Sequence, residues 1–293
     1  MASQRSLYAT LIVAAFAVSW ASILIRLSGA GPLPNAFYRM AIASCLLIIP
    51  AWPKFKRDVR ILTAGQIILL ICSGVALAFH FTTWVTSLFY TTISNSVILV
   101  ATQPAFLLVM EWLILKEKIS SRSVIGILVA LAGMIIISGG DFNMGSEYLW
   151  GDILALAGAV FAAIYLLIGR RLRVKMDNLG YIFPVYSTAA VVLLIISLLY
   201  NENLTDYPTE TWLIFLLLAL VPTIVGHSLY NWLLKFVPAH KVATTILGEP
   251  IGASILAIII FNEIPGWWTI IGGVLILSGI FIVLKKRKAL LAA

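Results

Sequence analysis

Charge is what this sequence has least of. Only 11% of its 293 residues are Asp, Glu, Lys or Arg, while 61% are apolar, and the mean hydropathy is +1.04. A soluble domain is about a quarter charged, so this chain cannot cover a water-facing surface. That excludes a soluble enzyme and a disordered protein. Cysteine is nearly absent: Cys45 and Cys72 both lie inside apolar runs, which excludes a disulfide scaffold and leaves them as small helix-packing residues. The three histidines form no metal-ligand spacing with carboxylates, and no nucleophile–base pair is set at mid-depth. Neither an enzyme nor a bound metal or cofactor is expected. There is no glycine-rich phosphate loop, so ATP is not expected to drive this chain directly. No Lys or Arg falls clearly at mid-membrane, and an anionic substrate would ask for one. The substrate expected is therefore a neutral or zwitterionic small molecule.

Long apolar runs are what the sequence has instead. Ten of them lie between charged or Pro/Gly-rich breaks, over 7–28, 35–52, 62–83, 92–115, 122–139, 149–169, 179–200, 210–234, 239–261 and 266–284. A helical span needs about 20 residues, so ten spans use roughly 200 and leave about nine for each connection. The expected fold is an all-α polytopic membrane protein in contact with the lipid bilayer. The run after Arg5 is longer than a cleavable signal segment, so it reads as the first span.

The net charge of +8 fits topology better than nucleic acid, because the basic residues sit in short groups between apolar blocks. Followed loop by loop, one side collects 18 of the 20 Lys and Arg residues, including Lys54–Arg60, Arg170–Lys175 and Lys285–Lys288. The other side holds Asp141, Glu147, Asp152, Glu202, Asp206, Glu210 and Glu263, with only Arg26 and Arg39 near its edge. The positive-inside rule then puts both termini in the cytoplasm. Arg26 and Arg39 flank the turn Gly29–Asn35 and are expected to anchor it, with attraction of a carboxylate at the outer mouth as the other reading.

The chain also repeats itself at an offset of 146. Pro104 falls on Pro250, Glu117 on Glu263, Gly126 on Gly272 and Gly133 on Gly279. Ile114, Ile125, Leu131 and Ile136 meet identical residues as well, and with one residue of slip His80 meets His227. Residues 1–146 and 147–293 thus read as two five-span repeats. Five is odd, so the second copy enters the membrane inverted, as in secondary transporters.

On these residues (Gln103-Pro104, Glu249-Pro250, the helix-end Glu and the Gly-x6-Gly helix) the chain resembles the EamA-type branch of the drug/metabolite transporter superfamily. Its length, ten spans and aromatic content are similar to the YddG-type exporters of aromatic and other neutral amino acids. The resemblance implies export of amino acids through the plasma (bacterial inner) membrane by alternating access, with a monomer as the working expectation. A nucleotide-sugar or phosphorylated-metabolite carrier of the same superfamily is the nearest alternative, and a passive channel a further one.

Candidate site residues follow from polarity at depth. Pro104 and Pro250 break helices near mid-span and free the carbonyls of Val100 and Ile246, which suits a cavity wall or a plain kink. Glu249, beside Pro250, is an acid in an apolar span, suited to a substrate ammonium, a proton, or the helix break itself; its repeat mate Gln103 cannot titrate. His227, Tyr230 and Asn231 share one helix face. His80, Trp84, Tyr90 and Asn95 belong to a stretch too polar to face lipid, forming either pathway or external loop. Trp20, Tyr38, Trp84 and Tyr165 are candidates for stacking on an apolar substrate side chain, with packing as the plainer role. Glu111 is expected to snorkel or pair with Lys116, and His240 to lie at the cytoplasmic interface.

Overall fold

A computed structural model describes residues 4–115, 120–142, 145–236 and 248–284. Glu117, Lys116, His240, Ile246 and Lys285–Lys288 therefore lie outside the described residues, as do the side chains of Arg5, Glu111 and Asp141.

The described residues are helical, with no strands among them. In order they form α1 (Gln4–Ser19), α2 (Ala21–Leu27), α3 (Pro32–Val59), α4 (Ala64–Ser87), α5 (Ile93–Val100), α6 (Gln103–Leu115), α7 (Ser121–Phe142), α8 (Ser146–Arg173), α9 (Asn178–Leu199) and α10 (Thr209–Leu218). A π-helical segment (Ala219–His227), α11 (Ser228–Leu233), α12 (Gly248–Phe261) and α13 (Trp267–Leu284) complete the order. Seven stretches are long and apolar enough to cross a membrane, and shorter apolar helices run over Val124–Ile137, Gly248–Phe261 and Trp267–Gly279.

Local chemistry explains where these helices begin and end. At α4 the Gln66 amide donates to Thr63 Oγ1 at 3.4 Å while the Thr63 amide donates to Gln66 Oε1 at 3.1 Å, a reciprocal cap. The Leu179 amide donates to Asp177 Oδ1 at 3.1 Å at the start of α9. Asn201 and Asn262, both at φ 55°, follow the last turns of α9 and α12, where a left-handed residue closes the helix. Thr63→Ala removes one cap worth about 1 kcal/mol. It is expected to lower the melting temperature of the purified protein by roughly 2–4 °C, read by fluorescence-monitored unfolding.

Contacts between helix ends mark an acidic end and a basic end. At the acidic end, Gly151 abuts Thr91 and Gly31 abuts Glu202. At the basic end, Gly180 packs on Asp58, and Lys54 Nζ pairs with Asp177 at 3.4 Å. Arg173 is buried there, its Nε donating to the Asn231 carbonyl at 3.0 Å. Around the middle, large apolar side chains point outward, among them Ile49 at 84% and Ile135 at 72% exposure. In water such a surface would be a liability; against hydrocarbon it is the required coat. Cys45 and Cys72 belong to this exposed shell. They are not packed between helices, because the buried faces of α3 and α4 are taken by residues such as Ala43, Leu47, Ser73 and Gly74.

Helices α7 and α13 cross backbone to backbone. A Cβ on Gly133 would lie 2.5 Å from the Gly272 carbonyl oxygen, and one on Gly279 would lie 2.5 Å from that of Gly126. These are repeat mates in crossed pairs: 126 with 279, and 133 with 272. Adding or subtracting the offset of 146 turns one contact into the other, so a local two-fold axis relates two antiparallel helices. Without side chains at these positions the backbones approach closely, which maximises van der Waals contact where no hydrophobic effect drives association.

Candidate functional site

Three helices are interrupted near mid-length, and the interruptions meet. The first span breaks at Trp20, between α1 and α2. The fourth breaks at Ala101 and Thr102, between α5 and α6. Pro104 is thus the second residue of α6, and Pro250 is the third of α12. Both prolines occupy a first turn, where the missing amide hydrogen is not needed, so Pro104 begins a helix instead of kinking a continuous one. The third break is the π segment, with Pro222 inside it; such segments gather at functional sites.

A cavity opens between these breaks. Eight of the residues expected to matter line it: His80, Trp84, Gln103, Tyr165, His227, Tyr230, Asn231 and Glu249, together with Val18, Val100, Ala162 and Leu166. The space left for water is about 40 Å³, roughly three waters' worth. Gln103 and Glu249, repeat mates, both stand in the first turn of their helices and face the same space. The mates His80 and His227 meet with ring centroids 6.5 Å apart.

The walls are held by a hydrogen-bonded frame. His80 Nδ1 lies 2.9 Å from the Gly158 carbonyl. A carbonyl only accepts, so Nδ1 carries the hydrogen. The imidazole stacks on Trp84 with 5.8 Å between centroids and 5° between planes. Asn231 Nδ2 donates to the His227 carbonyl at 2.7 Å and to the Tyr165 hydroxyl. Ser19 Oγ, from α1, donates to the Ala15 carbonyl at 2.9 Å and reaches the Glu249 carbonyl at 3.5 Å.

The other four candidates lie elsewhere. Tyr38 belongs to an aromatic cluster at the acidic end, stacked on Phe215 at 4.7 Å with its hydroxyl donating to the Leu204 carbonyl. Tyr90 is exposed in the turn after α4. Asn95 is buried and accepts from Thr269 Oγ1 at 2.6 Å, tying α5 to α13. Trp20 sits at the first break and packs edge-on against Phe16. None of these four is among the cavity's lining residues. Much of the polar stretch after His80 is buried and not an external loop: Ser87, Ser94 and Ser96 lie inside where α4 turns into α5, with Ser87 Oγ and Ser96 Oγ 2.6 Å apart.

Arg39 corrects the expectation that no cation lies at depth. It is the eighth residue of α3, about 10 Å along the helix axis from its start, and it is 0% exposed. Its Nε donates to Thr223 Oγ1 in the π segment at 3.1 Å, and its guanidinium carbon stands 4.1 Å above the centre of the Phe81 ring. It does not anchor the turn Gly29–Asn35. Asn35 does so, donating from Nδ2 to Ser28 Oγ at 2.8 Å and to the carbonyls of Ala30 and Gly31 at 3.0 Å. Arg26 donates to the Thr91 carbonyl at 3.0 Å and ties α2 to the neighbouring turn. In sequence, the signal for Arg39 was its place inside a predicted span; the signal for its partner was Pro222, which interrupts another.

With the interrupted helices and their cavity in place, comparison with known proteins becomes informative. A model of the EamA-like transporter family matches residues 5–139 and again residues 149–285. The chain belongs to this family. The transporter is 27% identical over 293 residues to an uncharacterized transporter of Archaeoglobus fulgidus, covering 98% of this chain and 99% of that one. It is 26% identical to the uncharacterized transporter YetK of Bacillus subtilis, over 94% of this chain and 86% of that one. Similarity extends to the mouse solute carrier family 35 member G1, 26% identical over 90% of this chain and 74% of that protein. A solved structure, described as a crystal structure of protein, shares the fold with a TM-score of 0.68 at 16% identity, over 96% of this chain and 98% of that one.

Proposed function

We propose that this transporter is a secondary carrier exporting small neutral or zwitterionic metabolites, amino acids including aromatic ones first among them, by alternating access through the cavity at His80, Gln103, His227 and Glu249. In this reading ten transmembrane helices form two inverted five-helix repeats, residues 1–146 and 147–293. Both termini lie in the cytoplasm, and the membrane is the plasma (bacterial inner) membrane. The observation that carries the reading is the meeting of repeat mates: Gly126/Gly279 against Gly133/Gly272, His80 beside His227, and Gln103 with Glu249 in one cavity. Two halves of like structure and opposite direction can exchange roles at little cost in energy, so inward-open and outward-open states stay comparable. The aromatic and imidazole wall suits an apolar side chain, and Glu249 suits an ammonium group, which supports the YddG-type amino-acid exporters as the nearest model.

The test is flux from proteoliposomes. Labelled leucine and phenylalanine are expected to move without ATP, to saturate, and to be accelerated by unlabelled amino acid on the opposite side. Saturation and acceleration distinguish a carrier from a passive channel. Flux no greater than in protein-free liposomes, for every amino acid tested, contradicts the substrate class.

A further inference from the structure

We propose that the Arg39 guanidinium is the anchor for a carboxylate on the transported molecule. The proposal deepens the reading above and rests on the cavity being the transport path.

Arg39 is wholly buried, yet only Nε has a hydrogen-bond acceptor; neither terminal nitrogen, Nη1 nor Nη2, has a partner. The ring of Phe81 lies 4.1 Å from the guanidinium carbon and that of Trp84 lies 6.0 Å away. A ring face stabilises the positive charge, but it cannot accept the in-plane N–H bonds at the guanidinium edge. Buried donors left unmade are rare and costly, and each one calls for an explanation. No ion pair supplies one. Among the described residues the ion pairs are Lys54–Asp177 and Arg57–Asp58, both at the basic end. Glu249 and Tyr186 lie within electrostatic range of Arg39, but neither is hydrogen-bonded to it.

The free edge is a planar two-nitrogen fork, the shape that takes both oxygens of a carboxylate at once. Its position fits that use. Trp84 is shared between Arg39 and the cavity wall, and Phe81, beneath the guanidinium, packs on the wall residue His227 at 5.4 Å. Arg39 thus stands one aromatic layer behind the cavity, held by the π segment through Thr223. Swinging that layer aside joins the fork to the space that Glu249 faces. The joined site has a cation and an acid, matched to the carboxylate and ammonium of one zwitterion. A phosphate would fit the same fork, but a dianion beside Glu249 would face one cation only, so the carboxylate is the better match.

The test compares ligands on the full-length purified protein before any variant is made. Melting temperature is followed against leucine, leucine methyl ester, 3-methylbutylamine, acetate and inorganic phosphate. Leucine is expected to protect at concentrations at least tenfold below those needed for its ester or the amine, both of which lack the negative charge. Equal protection by leucine and its ester overturns the proposal, and so does protection by phosphate beyond that of every carboxylate. In counterflow, Arg39→Gln is expected to erase the preference for leucine over its ester, while Arg39→Lys keeps it with KM raised about tenfold. Thr223→Val, which removes the acceptor of Nε along with the hydroxyl's own bond to the Leu218 carbonyl at 2.8 Å, falls between them, as expected of a positioning residue. A folded Arg39→Gln protein that keeps the preference also overturns the proposal. Protection by acetate without leucine transport leaves the anchor standing and removes the amino-acid reading. Leucine transport without charge preference does the reverse.

Discussion

Gly279→Val is expected to lower the melting temperature of the detergent-purified transporter by roughly 5–10 °C. A Cβ at this position would lie 2.5 Å from the Gly126 carbonyl oxygen, 2.6 Å from the Ala130 amide nitrogen and 3.1 Å from the Ala130 Cα. All three are backbone atoms, so no side chain can swing away, and α13 must separate from α7. Overpacking costs about 1–3 kcal/mol where side chains can adjust, and each kcal/mol is worth about 2–4 °C in a chain of this size. Helices that associate by close van der Waals contact lose that contact along their length when forced apart. The local two-fold axis makes Gly133→Val an equivalent lesion, since its Cβ would meet the Gly272 carbonyl oxygen at 2.5 Å. Gly65→Ala is the control: no heavy atom lies within 4 Å of its Cβ, and alanine is the better helix former. Size-exclusion profiles of protein heated in steps give the comparison. Melting of Gly279→Val at the wild-type temperature would mean that this crossing does not hold α7 and α13 together.

Glu249→Gln is expected to cut leucine counterflow by roughly 10- to 100-fold while leaving the protein folded. The amide has the shape of the acid, so the first turn of α12 and the packing of Pro250 and Ala253 are kept. Only the ionisable carboxyl goes. A hydrogen bond to a charged group contributes about 1.5–3 kcal/mol, which corresponds to that range of rates or affinities. If Glu249 also takes up a proton during the cycle, the variant loses the pH dependence of transport as well, because the mate Gln103 has nothing to titrate. The readout is counterflow at several external pH values, with melting temperature measured in parallel. Wild-type rates and an unchanged pH profile would remove Glu249 from the pathway.

Some of this architecture could be read directly from the letters. Most helix limits among the described residues followed hydropathy within about four residues, since the environment of a span is uniform and its length is fixed by bilayer thickness. Helix α3 instead runs seven residues past the expected 52, through Pro50 and Pro53 to Val59, because its basic last turns continue the helix beyond the apolar run. The α7–α13 crossing was written in four glycines, spaced seven apart in each helix and so placed on one face two turns apart. The cavity residues on α4 and α11 announced themselves as His, Trp, Tyr and Asn in otherwise apolar runs. Arg39 did not. A cation eight residues into a helix looks the same whether it reaches back to the interface or is buried. Only tertiary contacts with Thr223 and Phe81 decide between the two. Tyr38 and Asn95 misled for the opposite reason: polarity at a helix end serves packing between helices as readily as it serves a pathway, and here both side chains bond to neighbouring segments. The π segment left only Pro222 as its trace, and a proline does not say which way the backbone will adjust.

The account rests on one cavity being open to each side of the membrane in turn. Its most direct test is thiol labelling of Gln103→Cys in a background where Cys45 and Cys72 are serine. Those are the two cysteines of the sequence, so the introduced thiol is then the one that can react. In proteoliposomes of fixed orientation, a membrane-impermeant maleimide is presented from one side or the other, with and without leucine. Alternating access predicts labelling from both sides, with leucine slowing both reactions and the ratio of the two rates following the leucine gradient. Labelling from one side alone, whatever the gradient, would contradict it.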